Sequence, residues 1–118
     1  MLPFLPAPDE RVFVGVLRVV VHVLASTGAH GARSLKDRRR VVASLRDRIV
    51  ARHRCAFADV GHLEAHGAAV VVIATVGNDA RVVQAALDAV RRDVLAHPDA
   101  VVADMQLDVA PWPTPVTS

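Results

Sequence analysis

Ala68-Ala69-Val70-Val71-Val72-Ile73-Ala74-Thr75-Val76, followed at once by Gly77-Asn78-Asp79 and then by Val83, Leu87, Val90 and Val94, decides the fold. Nine apolar or β-branched residues in a row read as a strand, because both of its faces can be buried and the run is far short of the roughly 18 to 20 residues that cross a bilayer. Gly77-Asn78-Asp79 supplies a turn and a cap, and the valine and leucine spacing after it is helical until His97-Pro98 stops it. A strand running straight into a helix is half of a βαβ unit.

Working outward, Cys55 to Val60 reads as a second strand joined to this one by Gly61 to Gly67, so the two form a hairpin. Before it, Ser34 is a good N-cap for a helix from Leu35 to about His53, in which Leu35, Val42, Leu45 and Ile49 form an apolar stripe and Lys36, Arg40, Asp47 and Arg54 project away from it. Val12 to Leu24 is a long valine-rich strand, and Ser26 to Arg33, with Gly28 and Gly31, is a loop. At the far end Val101 to Val109 alternates Val101, Ala103, Met105, Leu107 and Val109 with Val102, Asp104, Gln106 and Asp108. The order βαββαβ predicts an α+β, ferredoxin-like split βαβ fold, a four-stranded antiparallel sheet with two helices on one face.

The chain has 118 residues, which suits one domain over residues 12–110. Residues 1–11, with Pro3, Pro6 and Pro8, are expected to form a flexible arm, and residues 111–118, with Pro111-Trp112-Pro113-Thr114-Pro115, an extended tail. No secretory signal is legible at the start. With 53% hydrophobic and 22% charged residues there is ample material for a core and no case for global disorder. A single cysteine, Cys55, excludes an intramolecular disulfide, and a reducing cytoplasm is the expected compartment.

Charge is segregated. Arg33, Lys36, Arg38, Arg39, Arg40, Arg46, Arg48, Arg52 and Arg54 face only Asp37 and Asp47 within that span, a local sum of +7 against +2 for the whole chain. Such a field attracts polyanions, although a solvated helix face would carry the same residues.

Phe13-Val14-Gly15-Val16-Leu17, the string Gly31-Ala32-Arg33-Ser34-Leu35-Lys36-Asp37-Arg38-Arg39-Arg40, and Val76-Gly77-Asn78-Asp79 resemble the YlxP-like family of small bacterial proteins over about residues 12 to 109. Ser-Leu-Lys with its following arginines is the specific part. The resemblance implies a ferredoxin-like domain of unknown function, and its genes' proximity to those for transcription elongation, translation initiation and ribosome maturation factors implies a ribosome or RNA connection. The family's acidic, Gln- and Trp-containing stretch is replaced here by His62-Leu63-Glu64-Ala65-His66.

The expected nucleic-acid or anion site comprises Arg33, Ser34, Lys36, Arg39, Arg40 and Arg46. Free N–H groups at Leu35, Lys36 and Asp37, flanked by Arg33 and Lys36, would receive a phosphate. It is not a P-loop, since residues 28–34 lack the GxxxxGK[ST] spacing. Arg38 falls within the apolar stripe, where it must find a partner or snorkel outward. The first and third strands offer only Phe13 as a ring, so base stacking across the sheet is disfavoured and contacts to phosphates are expected.

Two helices cover one side of such a sheet. The other would expose Val14, Val16, Val20, Val70 and Val72, an expected homodimer interface, with docking of the Trp112 tail as the alternative.

Enzymatic readings are weaker. His62, Glu64 and His66, with Asp59 nearby, are of types that could bind zinc but match neither HExxH nor the deaminase pattern with its CxxC partner, and no metal or cofactor is expected. Cys55 and His53 could be imagined as nucleophile and base, and His22 could pair with Asp104 or Asp108. No catalytic residue, small-molecule substrate or membrane partner is expected. The reading is a non-enzymatic, cytoplasmic, RNA- or ribosome-associated homodimer; a protein-interaction module using the sheet face is the alternative, and a metal- or thiol-dependent enzyme a distant third.

Overall fold

A computed structural model of the protein describes residues 10–23, 32–63 and 68–113, with the side chains of residues 23, 32–35, 62 and 63 outside that description. The elements are β1 (Phe13–Val23), α1 (Ala32–Arg52), β2 (Ala56–Leu63), β3 (Ala68–Gly77), α2 (Ala80–Leu95) and β4 (Ala100–Pro111). All four strands pair antiparallel in the order β2-β3-β1-β4. This is the ferredoxin-like α+β arrangement expected from the alternation of periods.

Side-chain parity along the two central strands sorts the sheet into a covered and an open face. Leu17, Val19 and Val21 of β1 and Val71 and Ile73 of β3 are fully buried, packed against Val42, Leu45 and Ile49 of α1 and Leu87, Val90 and Val94 of α2. The register Leu17↔Ile73 and Val19↔Val71 stacks these residues as direct cross-strand pairs. Burial of the helical stripe supplies α1's tertiary stability; truncating one such leucine costs about 2 to 5 kcal/mol.

Gly15 lets α2 approach the sheet. A Cβ there would lie 2.5 Å from Val83 Cγ1 and 2.6 Å from Leu87 Cδ1, closer than real methyl contacts. Asp79 caps α2 as expected: its backbone is extended and its side chain accepts from the Arg81 amide at 2.9 Å.

Several boundaries differ from the sequence reading. α1 begins at Ala32, not Leu35, because Ala32 and Arg33 are strong helix formers that extend it by most of a turn. Ser34 therefore lies inside the first turn rather than at the N-cap. β2 continues to Leu63, carrying His62 into a strand, with a register shift between Asp59 and Gly61. β4 runs to Pro111 opposite Phe13, an edge position where the missing N–H costs no ladder bond. The Trp112 amide then donates to the Val12 carbonyl at 2.8 Å, while the indole is 61% exposed, so this side chain does not dock over the sheet.

The helices are tied at two points that the sequence did not advertise. His97, buried at the α2–β4 turn, accepts from the Asp99 amide through Nδ1 at 3.2 Å. An amide can only donate, so the ring proton sits on Nε2 and is given to Ser44 Oγ of α1 at 3.1 Å. Asp93 of α2 meets Arg52 at 3.2 Å, Arg48 at 3.7 Å and His53 Nε2 at 2.7 Å. The His53 hydrogen bond first, then the charges of Arg52, His53 and Arg48, hold its carboxyl below the ordinary range against the opposing effect of burial.

Candidate nucleic-acid interface

The charge run of α1 is a single block in the sequence, but winding it at about 100° per residue deals its members to different flanks. Arg48 and Arg52 turn toward α2 and are engaged by Asp93. Arg39 and Arg46, seven residues apart and hence two turns up the same side, turn toward the edge strand β2. There they line a groove of about 230 Å³ with Val42, Ala43, Phe57 and Asp59. Phe57 faces it because β2 parity points Phe57 to the helix side, opposite Ile73.

Arg39 makes no ion pair with the described residues, and Arg46 pairs with its neighbour Asp47 at 3.1 Å in an exposed contact. Exposed pairs contribute at most about 1 kcal/mol and are readily exchanged for a stronger partner. Arg40 bonds Asp37 at 3.3 Å on the outer face, where Lys36 is also exposed. On the β2 side Arg39 is thus without an ion pair to the described residues and Arg46 is held only by an exposed one, while Arg54, just past the helix, is exposed beside the cleft of His53 and Cys55.

The phosphate nest expected at Leu35, Lys36 and Asp37 needs correction. With α1 starting at Ala32, the amides of Lys36 and Asp37 are donors within the helix, and the free N–H groups lie earlier. Arg33 and Ser34 belong to that first turn, and their side chains lie outside the described residues, as do residues 24–31. Arg38, on the apolar stripe, is half-buried without an ion pair to the described residues.

Val14, Val16, Val20, Val70 and Val72 do fall on one face, opposite the helices. Register places Val20 beside Val70 and Arg18 beside Val72. Val20, Val70 and Ala68 form a small buried cluster there, whereas Val60 and Val76 are more than half exposed. On β4 the same face carries Asp104, Gln106 and Asp108, and it is Arg18, not His22, that reaches Asp104, at 3.7 Å. His22 sits opposite Val101, past the register shift between Val20 and Val21, and faces neither aspartate: Asp104 lies opposite Val20 and Asp108 opposite Val16.

Of the residues that suggested enzymes, His53, Cys55, His22 and Asp59 have described side chains. His53 and Cys55 both line a second cleft, of about 190 Å³, beside Val82, Val83 and Leu87. The His53 ring is hydrogen-bonded to Asp93, and burial pushes the Cys55 thiol up, the reverse of the shift that activates a nucleophile. Glu64 and His66 lie outside the described residues; among those described, no three His, Cys, Asp or Glu side chains cluster as a metal site. No helix among the described residues is long and apolar enough to cross a membrane.

A family model described as "Protein of unknown function (DUF503)" matches residues 14–107. The chain belongs to the DUF503 family. The match spans the sheet, both helices and the Arg39–Arg46 groove of this DUF503 protein, and stops within β4, short of Trp112. Among curated proteins none matches the chain.

Phe57 and Asp59 join the site only in the folded structure. The sequence reading places both in the second strand and gives Asp59 no role beyond its nearness to His62, Glu64 and His66. The available signal is parity: two residues apart, they fall on the β2 face directed to α1, as the arginines seven residues apart fall on one side of the helix.

Proposed function

We propose that this DUF503 protein is a non-enzymatic cytoplasmic protein that binds RNA, on the ribosome or free, through the β2-facing flank and outer face of α1. The observation that carries this reading is the partition of α1's charge: Arg48 and Arg52 share the single carboxylate of Asp93 on the α2 side, while Arg39 and Arg46, the latter held only by an exposed contact to Asp47, line an open groove on the β2 side. A helix stabilised only by a solvated charge pattern has no need to keep two arginines beside a ring. The implied setting of YlxP-like genes among translation and ribosome-maturation factors points the same way.

Changing Arg39, Arg40 and Arg46 together to Glu tests it. Every phosphate of a single strand that no longer meets an arginine lowers the slope of log K against log salt by about 0.7, so the triple variant should lose about two units of slope and most of its affinity. All three side chains are exposed, so the melting temperature should stay close to the parent's. Equal co-sedimentation of parent and variant with ribosomes at low salt refutes the reading.

A second reading, self-association through the open sheet face, is favoured by the valine cluster there. That face also carries both Arg18 and the aspartates of β4, so two copies can offer each other complementary charge. Val72→Asp should convert a dimer to a monomer in sedimentation, because a buried unpaired carboxylate is costly. A monomeric parent removes this reading.

A further inference from the structure

Resting on the RNA reading above, we propose that the groove between α1 and β2 is a pocket for one unpaired nucleobase that carries an amino group, with guanine bound best. The groove holds together parts that no simpler ligand uses. Its floor is apolar, made by Val42, Ala43 and the half-buried ring of Phe57; its rim has two guanidiniums, Arg39 and Arg46; and one carboxylate, Asp59, stands among them. A bare phosphate would use the arginines, meet repulsion from Asp59 and gain nothing from the ring. An acidic peptide would meet the same repulsion. An apolar segment would cover the floor but strip water from three charges. A nucleotide satisfies every part: a π-face for Phe57, a donor edge for Asp59, and phosphates on either side for two arginines two helical turns apart.

Size fits the same conclusion. About 230 Å³ is smaller than the roughly 300 to 1,000 Å³ of a whole-ligand pocket, so the base enters and the sugar and phosphates remain on the rim. Stacking is disfavoured on the sheet's face; this ring belongs to the edge strand and is reached from the helix side.

Asp59 is positioned for this by the irregularity in β2. The register shift at Val60 brings the Gly61 amide to Asp59 Oδ1 at 3.3 Å, which holds the carboxylate. Oδ2 has no hydrogen bond to the described residues. A carboxylate can only accept, so it selects edges rich in N–H: guanine presents two adjacent donors, adenine and cytosine an amino group, and uracil a single imino proton. Asp47, which holds Arg46 across an exposed contact, competes with the phosphate.

The test uses the full chain and fluorescein-labelled nine-nucleotide RNAs, all uridine except a central G, A, C or U, with anisotropy at about 50 mM salt. Central G should bind about tenfold tighter than all-U, with A and C between. Asp59→Asn should erase that difference while leaving all-U binding equal or tighter, and Phe57→Leu, which keeps an apolar side chain on the core, should weaken the G-containing strand by about tenfold. Asp47→Asn should tighten all four alike. Should Phe57→Leu fail to fold, Asp59→Asn at its exposed site decides alone. Equal affinity for the four strands, with no effect of Asp59→Asn, overturns the base pocket; if Arg39→Glu with Arg46→Glu still abolishes binding, the phosphate reading survives it. Absence of binding to any strand, and to ribosomes, overturns both.

Discussion

Replacing Gly15 by alanine places a methyl group 2.5 Å from Val83 Cγ1 and 2.6 Å from Leu87 Cδ1, where α2 lies closest to the sheet. Neither neighbour can swing into solvent, since Val83 is 2% exposed and Leu87 fully buried. Overpacking of this kind costs about 1 to 3 kcal/mol. The gain from a stiffer unfolded chain offsets about 0.4 to 1 kcal/mol, which leaves a net loss of between about 0 and 2.6 kcal/mol. For a domain of this size that is about 4 °C of melting temperature per kcal/mol, read by urea denaturation and thermal circular dichroism. Two companions make the mechanism visible. Val83→Ala removes one of the two clashing methyls and leaves Leu87 Cδ1, so the double variant should lose less than the sum of the singles by about 0.5 to 3 kcal/mol. Gly61→Ala, whose Cβ would meet nothing within 4 Å, should be neutral or stabilising by up to about 1 kcal/mol. A Gly15→Ala protein as stable as the parent, with no coupling to Val83→Ala, would refute the close approach as the reason for glycine there.

Asp93→Asn should destabilise by about 1.5 to 3 kcal/mol at neutral pH, because the carboxylate accepts from charged and ring donors of α1 and the residue that follows it. Its folded carboxyl sits below the ordinary value, so the stability it adds is present above that value and is lost as pH falls through the folded one; the gap between parent and variant in urea melts should close below about pH 4. A gap unchanged at pH 3 counts against this account. His97→Leu removes the bonds to Ser44 and the Asp99 amide and should cost about 1 to 3 kcal/mol, checked by denaturation; a neutral result means the turn is held otherwise. Asp79→Ala should cost about 0.5 to 2 kcal/mol through the α2 cap and Asp79→Asn much less, with hydrogen exchange at Arg81 and Val82 reporting the fraying.

The order of elements was legible because each change of hydrophobic period is local: valine runs and stripes at helical spacing need no knowledge of partners. Both helices and all four strands lie where those periods put them, and the cap at Asp79 was readable from Gly77-Asn78-Asp79 alone. Element ends were less legible. α1 starts at Ala32 and β2 runs through His62 because propensity and strand pairing extend elements past the residues that look like punctuation.

The candidate site divides the same way. That α1 is basic, that Val14, Val16 and Val20 share a face, and that the chain can bury a core are properties of residue type and spacing, so the sequence by itself determined them. Which arginines remain available is a different matter. It depends on Asp93, about forty residues away in sequence, reaching Arg48, Arg52 and His53, and on the edge strand presenting Phe57 and Asp59 beside Arg39 and Arg46. Those contacts join residues on separate elements, and their distances follow only from how α1 rotates against α2 and β2 when its stripe is buried. Tertiary structure alone decided them, because ion pairing and groove shape are set by geometry across elements, while hydrophobic periodicity reports only the side of each element that turns inward.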